Sequence, residues 1–291
     1  MATHGGFFLY FSTILLLFGM RDLTASIVTY KNSAPILSRA IRSFLDAAPQ
    51  STLYLIDNSP DDRLRNLVDD SRVVYVFNNK NVGFGAGHNQ ILSKILDHSK
   101  YHIVLNPDVY FDEQVIQTLY DFMEQNNAVG QLMPKVLYPD GRLQYLCKLL
   151  PTPKILLLRR FLNILKDVVE RENFQYQLQF TEYDQIMDVP FLSGCFMFLR
   201  TESLKEVGLF DERFFLYTED TDLTRRLHSR FRTVYFPDVS IYHYHARGSY
   251  KDFRLMLHNI QSAIRYFNKW GWVNDPERER INKLTLRKYS V

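Results

Sequence analysis

The sequence predicts an α/β fold with a mainly parallel central sheet flanked by helices, and two observations lead to this prediction. Short apolar runs rich in β-branched and aromatic residues alternate with helical patterns between residues 25 and 122, which is typical of βαβ units. The chain has 291 residues, 46% of them hydrophobic, which is enough to form one large α/β domain or two small ones. A net charge of +3 does not favour nucleic acid as a partner.

The carboxyl ends of the first strands are the first candidate binding positions. Three strands and the two helices between them are predicted at residues 25–30, 33–45, 52–58, 63–68 and 73–77. In parallel sheets, ligands bind beyond the carboxyl ends of the strands. Thr29, Asp57 and Asn58 end the first two strands and are therefore candidates. Ordinary turn and cap chemistry is the alternative for each of them taken singly.

A glycine-rich segment, NNKNVGFGAGHN at residues 78–89, follows the third strand and opens a helix. Gly83, Gly85 and Gly87 allow a close approach of the backbone, and the helix beyond them offers N–H groups to a phosphate. The segment lacks the G-x-G-x-x-G spacing of nicotinamide-binding folds and the Lys-Ser/Thr of a P-loop. A plain glycine turn is the alternative.

Two later strand ends carry residues that can bind a metal. Asn106, Pro107 and Asp108 end the fourth strand, and Asp108 can hold a hard cation that bridges a diphosphate. A turn aspartate is the alternative. His243 and His245 lie two residues apart on a later strand and face the same side, so they form a candidate metal pair or have a structural role.

A cluster of carboxylates follows the second apolar run of residues 191–223. Glu219, Asp220 and Asp222 come directly after the aromatic segment RFFLY and its Thr218. Carboxylates at such a place are costly unless they serve a charged ligand, a proton transfer or a helix start. The alternative to a functional role is an acidic first helical turn capped by Thr218.

Three segments raise the question of membrane contact. Residues 7–19 are strongly apolar but shorter than the roughly 20 residues of a bilayer span. We expect residues 1–20 to lie outside the fold, with Met20 as the start of translation, and a weak anchor is the alternative. Residues 154–173 are predicted to form an amphipathic helix that lies on a bilayer or packs on the protein. Basic residues outnumber acidic ones in 265–291, which suits an anionic membrane or a solvated helix face.

The remaining predictions are structural. Cys147 and Cys195 are the only cysteines, which predicts a reducing compartment without a disulfide framework. Strands are predicted at 129–138, 233–237 and 240–244, a polar loop at 170–188, and a C-terminal helix that ends near Trp270.

Five motifs stand in one order along the chain: SIVTYKN, LIDNS, NVGFGAGHN, LNPDV and SGCFMFLR…FDERFFLYTEDTDL. Over residues 25–270 the ordered set resembles glycosyltransferase family 2, inverting enzymes of the GT-A fold, in its bacterial rhamnosyltransferase-like branch. The runs HYHARGSYK and YFNKWGW resemble the O-antigen and exopolysaccharide members. The resemblance implies a GT-A domain over 21–250, followed at 251–291 by a helix and basic tail packed on the same domain.

The resemblance also implies a role for each matching residue. Asp220 would be the general base, and Glu219 would help to orient the acceptor. Asn106-Pro107-Asp108 matches the family's DxD motif with Asn in the first place, which leaves Asp108 as the main carboxylate for Mg²⁺ or Mn²⁺, with His243 near the diphosphate or metal. The residues implied to contact the nucleotide sugar are Thr29, Tyr30, Asp57, Gly85, Asn89 and Asn106.

The implied function is transfer of L-rhamnose from dTDP-rhamnose to a saccharide or undecaprenyl-linked acceptor in O-antigen or exopolysaccharide synthesis. The implied location is cytoplasmic, peripheral to the inner face of the plasma membrane. Another UDP- or dTDP-sugar and a non-catalytic nucleotide-sugar or glycan-binding module are alternatives. A nucleotidylyltransferase is disfavoured, because it needs a basic triphosphate loop near the first strand and Lys31 alone does not make one.

Overall fold

The computed structural model describes residues 22–67, 69–161, 166–244 and 253–290. The predictions for residues 1–20, for Met20 and for His245 lie outside these residues. The strands are β1 Leu23–Thr29, β2 Thr52–Asp57, β3 Val73–Phe77, β4 Tyr101–Leu105, β5 Val109–Tyr110, β6 Val129–Leu137, β7 Cys147–Lys148, β8 Met187–Asp188, β9 Phe191–Leu192, β10 Phe196–Arg200 and β11 Arg232–His243. The helices are α1 Ala34–Ala47, α2 Phe84–Ile95, α3 Gln114–Gln125, α4 Pro153–Phe161, α5 Lys166–Tyr176, α6 Thr201–Val207, α7 Glu219–His228, α8 Phe253–Trp270 and α9 Pro276–Tyr289.

A nine-stranded sheet is the centre of the described part of the chain, in the order β3-β2-β1-β4-β10-β6-β11-β5, with β8 paired to β11. Strands β1 to β4 are parallel, β10 is antiparallel to both of its neighbours, and β6 and β11 are parallel to each other. Strands β7 and β9 form a separate antiparallel pair. The predicted α/β fold with a mainly parallel central sheet flanked by helices is therefore confirmed.

Helices cover both faces of the sheet because the apolar side chains of the strands alternate. In β1, Ile27 faces the core shared with α1 and α3, whereas its neighbour Val28 faces the core shared with α2 and α7. Phe44 of α1 and Leu92 of α2 are fully buried on these two faces. This two-sided burial is what leaves the carboxyl ends of β1, β2 and β4 as the accessible edge.

Several local predictions were wrong. Residues 63–67 form turns instead of a helix, and the segment predicted as a polar loop at 170–188 contains the end of α5 and buries Tyr183 and Met187. The two strands predicted at 233–237 and 240–244 are one strand, β11, with a register irregularity between Phe236 and Ser240. The irregularity explains the break in the apolar pattern.

The segments considered for membrane contact are helical in the described residues. Residues 154–173 are divided between α4 and α5, and Leu158 of α4 is buried whereas Leu157 is 56% exposed. The basic tail contains α9, and the Asp188 N–H donates to the hydroxyl of Tyr289 on this helix at 2.7 Å. No helix in the described ranges is long and apolar enough to cross a bilayer.

Candidate active site

The ends of β1 and β2 meet in register, with Thr29 beside Asp57. The Thr29 hydroxyl donates to Asn32, and the Asp57 carboxylate accepts the Ser59 N–H at 2.8 Å and the Tyr75 hydroxyl at 2.7 Å. Burial, and then the contact with Asp57, raises the pKa of Tyr75. Both Thr29 and Asp57 are buried, so residues 29 and 57 form a rigid floor at this edge.

Tyr30 differs from its buried neighbour Thr29 because it is 45% exposed at the carboxyl end of β1. The Tyr30 N–H donates to the Asn32 side chain at 2.9 Å, which fixes the start of the turn. An exposed ring above a rigid strand end is a suitable surface for a nucleoside. The part that Tyr30 takes in donor binding stays a prediction.

The glycine-rich segment packs tightly on the loop before α7. Gly83 has φ +95°, and a Cβ there would lie 2.4 Å from the carbonyl oxygen of Phe215, so only glycine fits. The Phe84 N–H at the start of α2 donates to the same carbonyl at 3.0 Å. At least one of the N–H groups expected to meet a phosphate is therefore already bonded within the chain.

Gly85 and Asn89 of α2 also contact this loop. A Cβ at Gly85 would lie 2.9 Å from Cβ of Phe210. The Asn89 amide donates to the Phe210 carbonyl at 2.9 Å and to Glu212 at 3.0 Å, and its oxygen accepts the Phe210 N–H. These contacts give both residues a structural role, and their place in the nucleotide-sugar pocket stays a prediction.

Asn106, Asp108 and His243 come together because β5, directly after Asp108, pairs with the end of β11. His243 lies opposite Val109 in this pair. Its Nε2 is 3.3 Å from the Asp108 carboxylate and 3.5 Å from the Asn106 amide. Its Nδ1 bonds the Gln144 side chain at 3.0 Å. The structure thus brings together three candidate residues from two strand ends that are far apart in the sequence.

His243 is nearly buried, and burial is the largest influence on its pKa, which it lowers. Contacts with Cys195 and with the Asp108 carboxylate outweigh burial and raise the pKa to about 10. The neighbouring Asp108 carboxylate therefore favours the protonated form of this imidazole. Sequence reasoning missed Gln144, because its bond to His243 joins residues 99 positions apart.

Asp220 lies at the start of α7, where its carboxylate accepts the Gly194 N–H at 2.9 Å and the Thr221 N–H at 2.7 Å. The backbone carbonyl of Cys195, the residue after Gly194, accepts the backbone N–H of Asn106 at 2.9 Å. The dipeptide Gly194-Cys195 therefore bonds the carboxylate of Asp220 on one side and the Asn106-Pro107-Asp108 segment on the other. A Cβ at Gly194 would lie 2.9 Å from the Asp220 Cβ, so the glycine permits this close approach.

The two carboxylates that flank Asp220 have different environments. Glu219 is buried, and its Oε2 has no hydrogen-bond partner among the described residues. Burial, and then the charge of Asp220, raises the pKa of Glu219 well above its usual range. Asp222 is fully buried and bonds Arg226, Lys269 and Trp270. Asp222 therefore joins α7 to α8. The sequence did not distinguish this structural role from a role in the site.

Thr218 precedes α7 in the left-handed region, at φ 62°, and makes no side-chain cap bond. Its hydroxyl is buried and has no partner in the described part of the chain. Thr218 therefore occupies the N-cap position before an acidic first turn, as the alternative predicts, but its side chain does not cap the helix. The strained residue instead sets the direction in which Glu219 and Asp220 leave the turn.

Two cations that sequence reasoning missed lie near Asp220. Lys148 on β7 pairs with Phe191 on β9, and β9 leads to Gly194. Burial, and then the charge of Arg159 on α4, lowers the pKa of Lys148, whereas Asp220 raises it, with a result of about 8.

Both cysteines, Cys147 next to Lys148 and Cys195, are free and buried. The sequence predicts this, since it predicts no disulfide framework.

The donors for a metal ion are few. The described residues contain no group of three or more His, Cys, Asp or Glu side chains that could hold a metal. The Asp108 carboxylate, the Asn106 amide and the His243 imidazole lie together. Mg²⁺ often takes one or two carboxylates from a protein and completes its coordination with substrate phosphates and water. The set therefore fits a cation that a diphosphate helps to hold.

Comparison with known proteins agrees with this geometry. The family described as "Glycosyltransferase like family 2" matches residues 21–261. The N-acetylglucosaminyl-diphospho-decaprenol L-rhamnosyltransferase of Mycobacterium tuberculosis is 26% identical over 226 residues, which are 72% of this chain and 72% of that protein. The rhamnosyltransferase WbbL of Escherichia coli K12 is 23% identical over 69% of this chain and 76% of its own length.

Solved structures show the same fold. GalNAc-T7, crystallised with UDP, GalNAc and Mn²⁺, aligns with a TM-score of 0.57 and 14% identity over 77% of this chain. The match spans only 44% of the GalNAc-T7 chain. Residues 1–349 of TarS from S. aureus align with a TM-score of 0.53 and 16% identity, over 92% of this chain and 72% of that one. These neighbours have the GT-A fold.

Proposed function

The chain belongs to the glycosyltransferase family 2-like family, in its rhamnosyltransferase-like branch, and from this premise we propose that it transfers a sugar with inversion from a nucleotide sugar to a saccharide or lipid-linked acceptor. The proposed donor is dTDP-L-rhamnose, because two of the relatives are rhamnosyltransferases. The proposed place of action is the inner face of the plasma membrane, in O-antigen or exopolysaccharide synthesis. Another UDP- or dTDP-sugar is the alternative donor.

The observation that carries the proposal is that two adjacent residues, Gly194 and Cys195, are hydrogen-bonded to the two ends of the site. Gly194 holds the Asp220 carboxylate, and Cys195, the next residue, holds the segment that contains Asp108. A transferase needs a base for the acceptor and a charge-stabilising group for the leaving diphosphate within one cleft. The bonds of the dipeptide support that arrangement.

In the proposed mechanism, Asp220 removes the proton of the acceptor hydroxyl as the oxygen attacks the anomeric carbon. General base catalysis of this kind contributes about 10²–10⁴-fold. Glu219, kept protonated by burial, is suited to donate a hydrogen bond to the acceptor beside the base. Attack opposite the leaving group in a single displacement inverts the anomeric centre, so no residue forms a covalent intermediate.

On the donor side, Asp108, Asn106 and His243 are proposed to hold the diphosphate end of the donor. Mg²⁺ or Mn²⁺ bound at Asp108 would offset the negative charge that the leaving nucleoside diphosphate gains. His243, at 3.3 Å from the Asp108 carboxylate, would contact the diphosphate or the metal. At the strand ends, Tyr30 and the floor of Thr29 and Asp57 are proposed to receive the base and ribose.

The function is tested with the Asp220→Asn variant of the full chain. The measurement is the rate of sugar transfer from each member of a panel of nucleotide sugars. We expect transfer to fall about 10²–10⁴-fold, whereas dTDP binding in the presence of Mg²⁺ or Mn²⁺ stays within about twofold of that of the parent protein. The matched control is Asp238→Asn, because Asp238 is an exposed aspartate on β11.

Two outcomes would contradict the proposal. Full activity of Asp220→Asn would remove Asp220 from the role of base. A parent protein that binds dTDP but neither transfers nor hydrolyses any nucleotide sugar would instead be the non-catalytic binding module.

A further inference from the structure

A cationic pair, Lys148 and Arg159, adjoins the proposed base and has no part in the proposed chemistry. The Lys148 Nζ lies 4.8 Å from the centre of the Phe191 ring. The strand of Phe191 ends at Leu192, two residues before Gly194, which bonds Asp220. The Arg159 guanidinium lies 5.2 Å from the Tyr176 ring. The pKa of Tyr176 is raised chiefly by burial, and Arg159 and Asp220 also influence it. Lys148 and Arg159 are therefore close enough to act on each other's surroundings, and both neighbour groups on which the charge of Asp220 acts.

The charges of this pair are not met within the described residues. The Arg159 Nη1 is buried and has no hydrogen-bond partner there, and no ion pair joins Lys148 or Arg159 to a carboxylate. A desolvated cation without an anion is costly, and the cost is recovered when an anion binds. Asp220 acts on Lys148 as a charge, but its carboxylate oxygens accept hydrogen bonds from the N–H groups of Gly194 and Thr221. The half-buried pair therefore offers an anionic ligand both positive charge and an unpaired buried N–H donor, the Arg159 Nη1.

On the basis of the proposed function, we infer that Lys148 and Arg159 bind the diphosphate that joins the acceptor sugar to its lipid. The donor's diphosphate belongs to Asp108 and His243, whose segment is bonded to Cys195. The cationic pair instead adjoins Asp220, which must touch the acceptor hydroxyl.

A binding experiment tests this inference without any need for sugar transfer. The full chain is titrated calorimetrically with a short-chain alkyl diphosphate in EDTA, which excludes any cation held at Asp108. We expect Arg159→Met and Lys148→Met each to weaken binding about tenfold or more, because each removes charged hydrogen bonds. Lys148→Arg should retain most of the affinity. Unchanged affinity in both methionine variants would overturn the inference.

A matched control is available on the same helix as Arg159. Lys154 of α4 is 69% exposed and forms an ion pair with Glu172, so Lys154→Met removes a cation of α4 away from the cleft. We expect this variant to bind the alkyl diphosphate as the parent does. A loss equal to that of Arg159→Met would indicate nonspecific attraction of the anion by α4 and would overturn the assignment.

Kinetics then distinguish the acceptor from the donor as the source of the diphosphate. The acceptors are N-acetylglucosaminyl diphosphate with a short alkyl chain and the uncharged alkyl N-acetylglucosaminide. For Arg159→Met, we expect the ratio of kcat/KM between the charged and the uncharged acceptor to fall about tenfold or more, with the donor KM within about twofold. A rise in the donor KM with an unchanged ratio would overturn the acceptor assignment.

The failure of the proposed function has a different signature. If the parent transfers no sugar but binds the alkyl diphosphate through Lys148 and Arg159, the anion site is supported and the transferase proposal fails. If the parent transfers sugar and the variants bind the alkyl diphosphate normally, the transferase proposal is supported and this inference fails.

Discussion

Two arginines of this chain lie against aromatic rings, one buried (Arg225) and one half-buried (Arg159), and they differ in what meets their charge. The Arg225 guanidinium is 4.0 Å from the Trp270 ring and donates to both oxygens of Asp275 at 2.7 Å and to Glu277 at 3.0 Å. Arg159 lies on the Tyr176 ring but has a buried nitrogen without a partner in the described chain. A completed ion pair holds the fold together, whereas an uncompleted one leaves charge for a ligand.

The two arginines also lie in different parts of the molecule. Asp275 is the N-cap of α9 and accepts the N–H of Arg278, so Arg225 joins α7 to the C-terminal helix. Arg159 lies on α4, beside the cleft that contains Asp220. The same residue type therefore serves cohesion at one end of α7 and, by our inference, binding at the other end.

The largest expected effect comes from the same substitution at both arginines. Arg225→Met removes both 2.7 Å bonds to the buried Asp275 and leaves it only the contact with Arg278 at 3.6 Å, so we expect the free energy of unfolding to fall by about 3 kcal/mol. Arg159→Met removes an uncompensated cation, so stability should stay within about 1 kcal/mol or rise. Urea unfolding followed by circular dichroism measures both values. Equal losses at the two sites would show that Arg159 has a structural partner.

A buried histidine illustrates a third way to accommodate a basic residue, which is to keep it uncharged. His102 bonds the Thr24 and Ser26 hydroxyls at 2.8 and 2.7 Å, and Ser26 also bonds His88. Burial lowers the pKa of His102 to about 3. Below about pH 6.5 the imidazole of His102 binds a proton in the unfolded chain but not in the folded chain. The stability that the neutral His102 contributes to the fold is therefore complete above pH 6.5 and is lost as the pH falls toward 3.

The expected loss is about 1.4 kcal/mol per pH unit between roughly pH 6 and pH 4. Substitution His102→Gln should make the pH dependence of unfolding shallower by this amount. The remaining slope would include two further histidines, His88 and His228, whose pKa values are also lowered by burial. An unchanged slope in the variant would mean that His102 titrates normally in the folded protein.

The fold was predictable from the sequence because its strands are local apolar runs that end in polar residues. The union of Asn106, Asp108 and His243 was accessible only through the family resemblance, since residue 243 reaches the fourth strand through β5. Lys148 and Arg159 gave no signal, because β7 has only two residues and its partner Phe191 is far along the chain. Pairing of this kind is set by the tertiary structure and not by local pattern.

The three carboxylates of residues 219–222 show the same limit. In the sequence they are equivalent candidates, yet the structure gives Asp222 to Lys269 and Trp270 on α8 and leaves Asp220 at the cleft. Those partners lie more than forty residues later, as the 48-residue separation of Asp222 and Trp270 shows. No spacing rule within one helical turn could have separated a structural carboxylate from a base.

Trp270→Phe tests the structural role of Asp222. The substitution removes the indole N–H that donates to this buried carboxylate at 2.8 Å, so we expect a loss of about 1.5–3 kcal/mol. The control is Trp272→Phe, because the Trp272 indole donates to the Asn268 side chain at the surface and should cost about 0.5 kcal/mol. Thermal unfolding of the two variants gives the difference, and equal losses would argue against a special role for the bond to Asp222.

The smallest expected effect concerns the pH dependence of acceptor use. Burial, and then the charge of Arg159, lowers the pKa of Lys148. The pKa is raised by three groups, Asp220, Cys195 and Cys147. Because the pKa of about 8 lies below the usual 10.5, the ammonium loses its charge as the pH rises through 8. The value of kcat/KM for a diphosphate-linked acceptor should therefore fall between pH 7 and pH 9, by at most about tenfold.

Lys148→Arg is the variant that isolates this titration. Arginine keeps its charge over the whole range, so its profile between pH 7 and pH 9 should be flat where the parent's declines. If both proteins decline alike, the titrating group belongs to another residue or to the substrate. If the parent's profile is already flat, Lys148 stays charged to higher pH. Its charge would then be compensated within the protein, as that of Arg225 is, and the contrast between the two environments would fail.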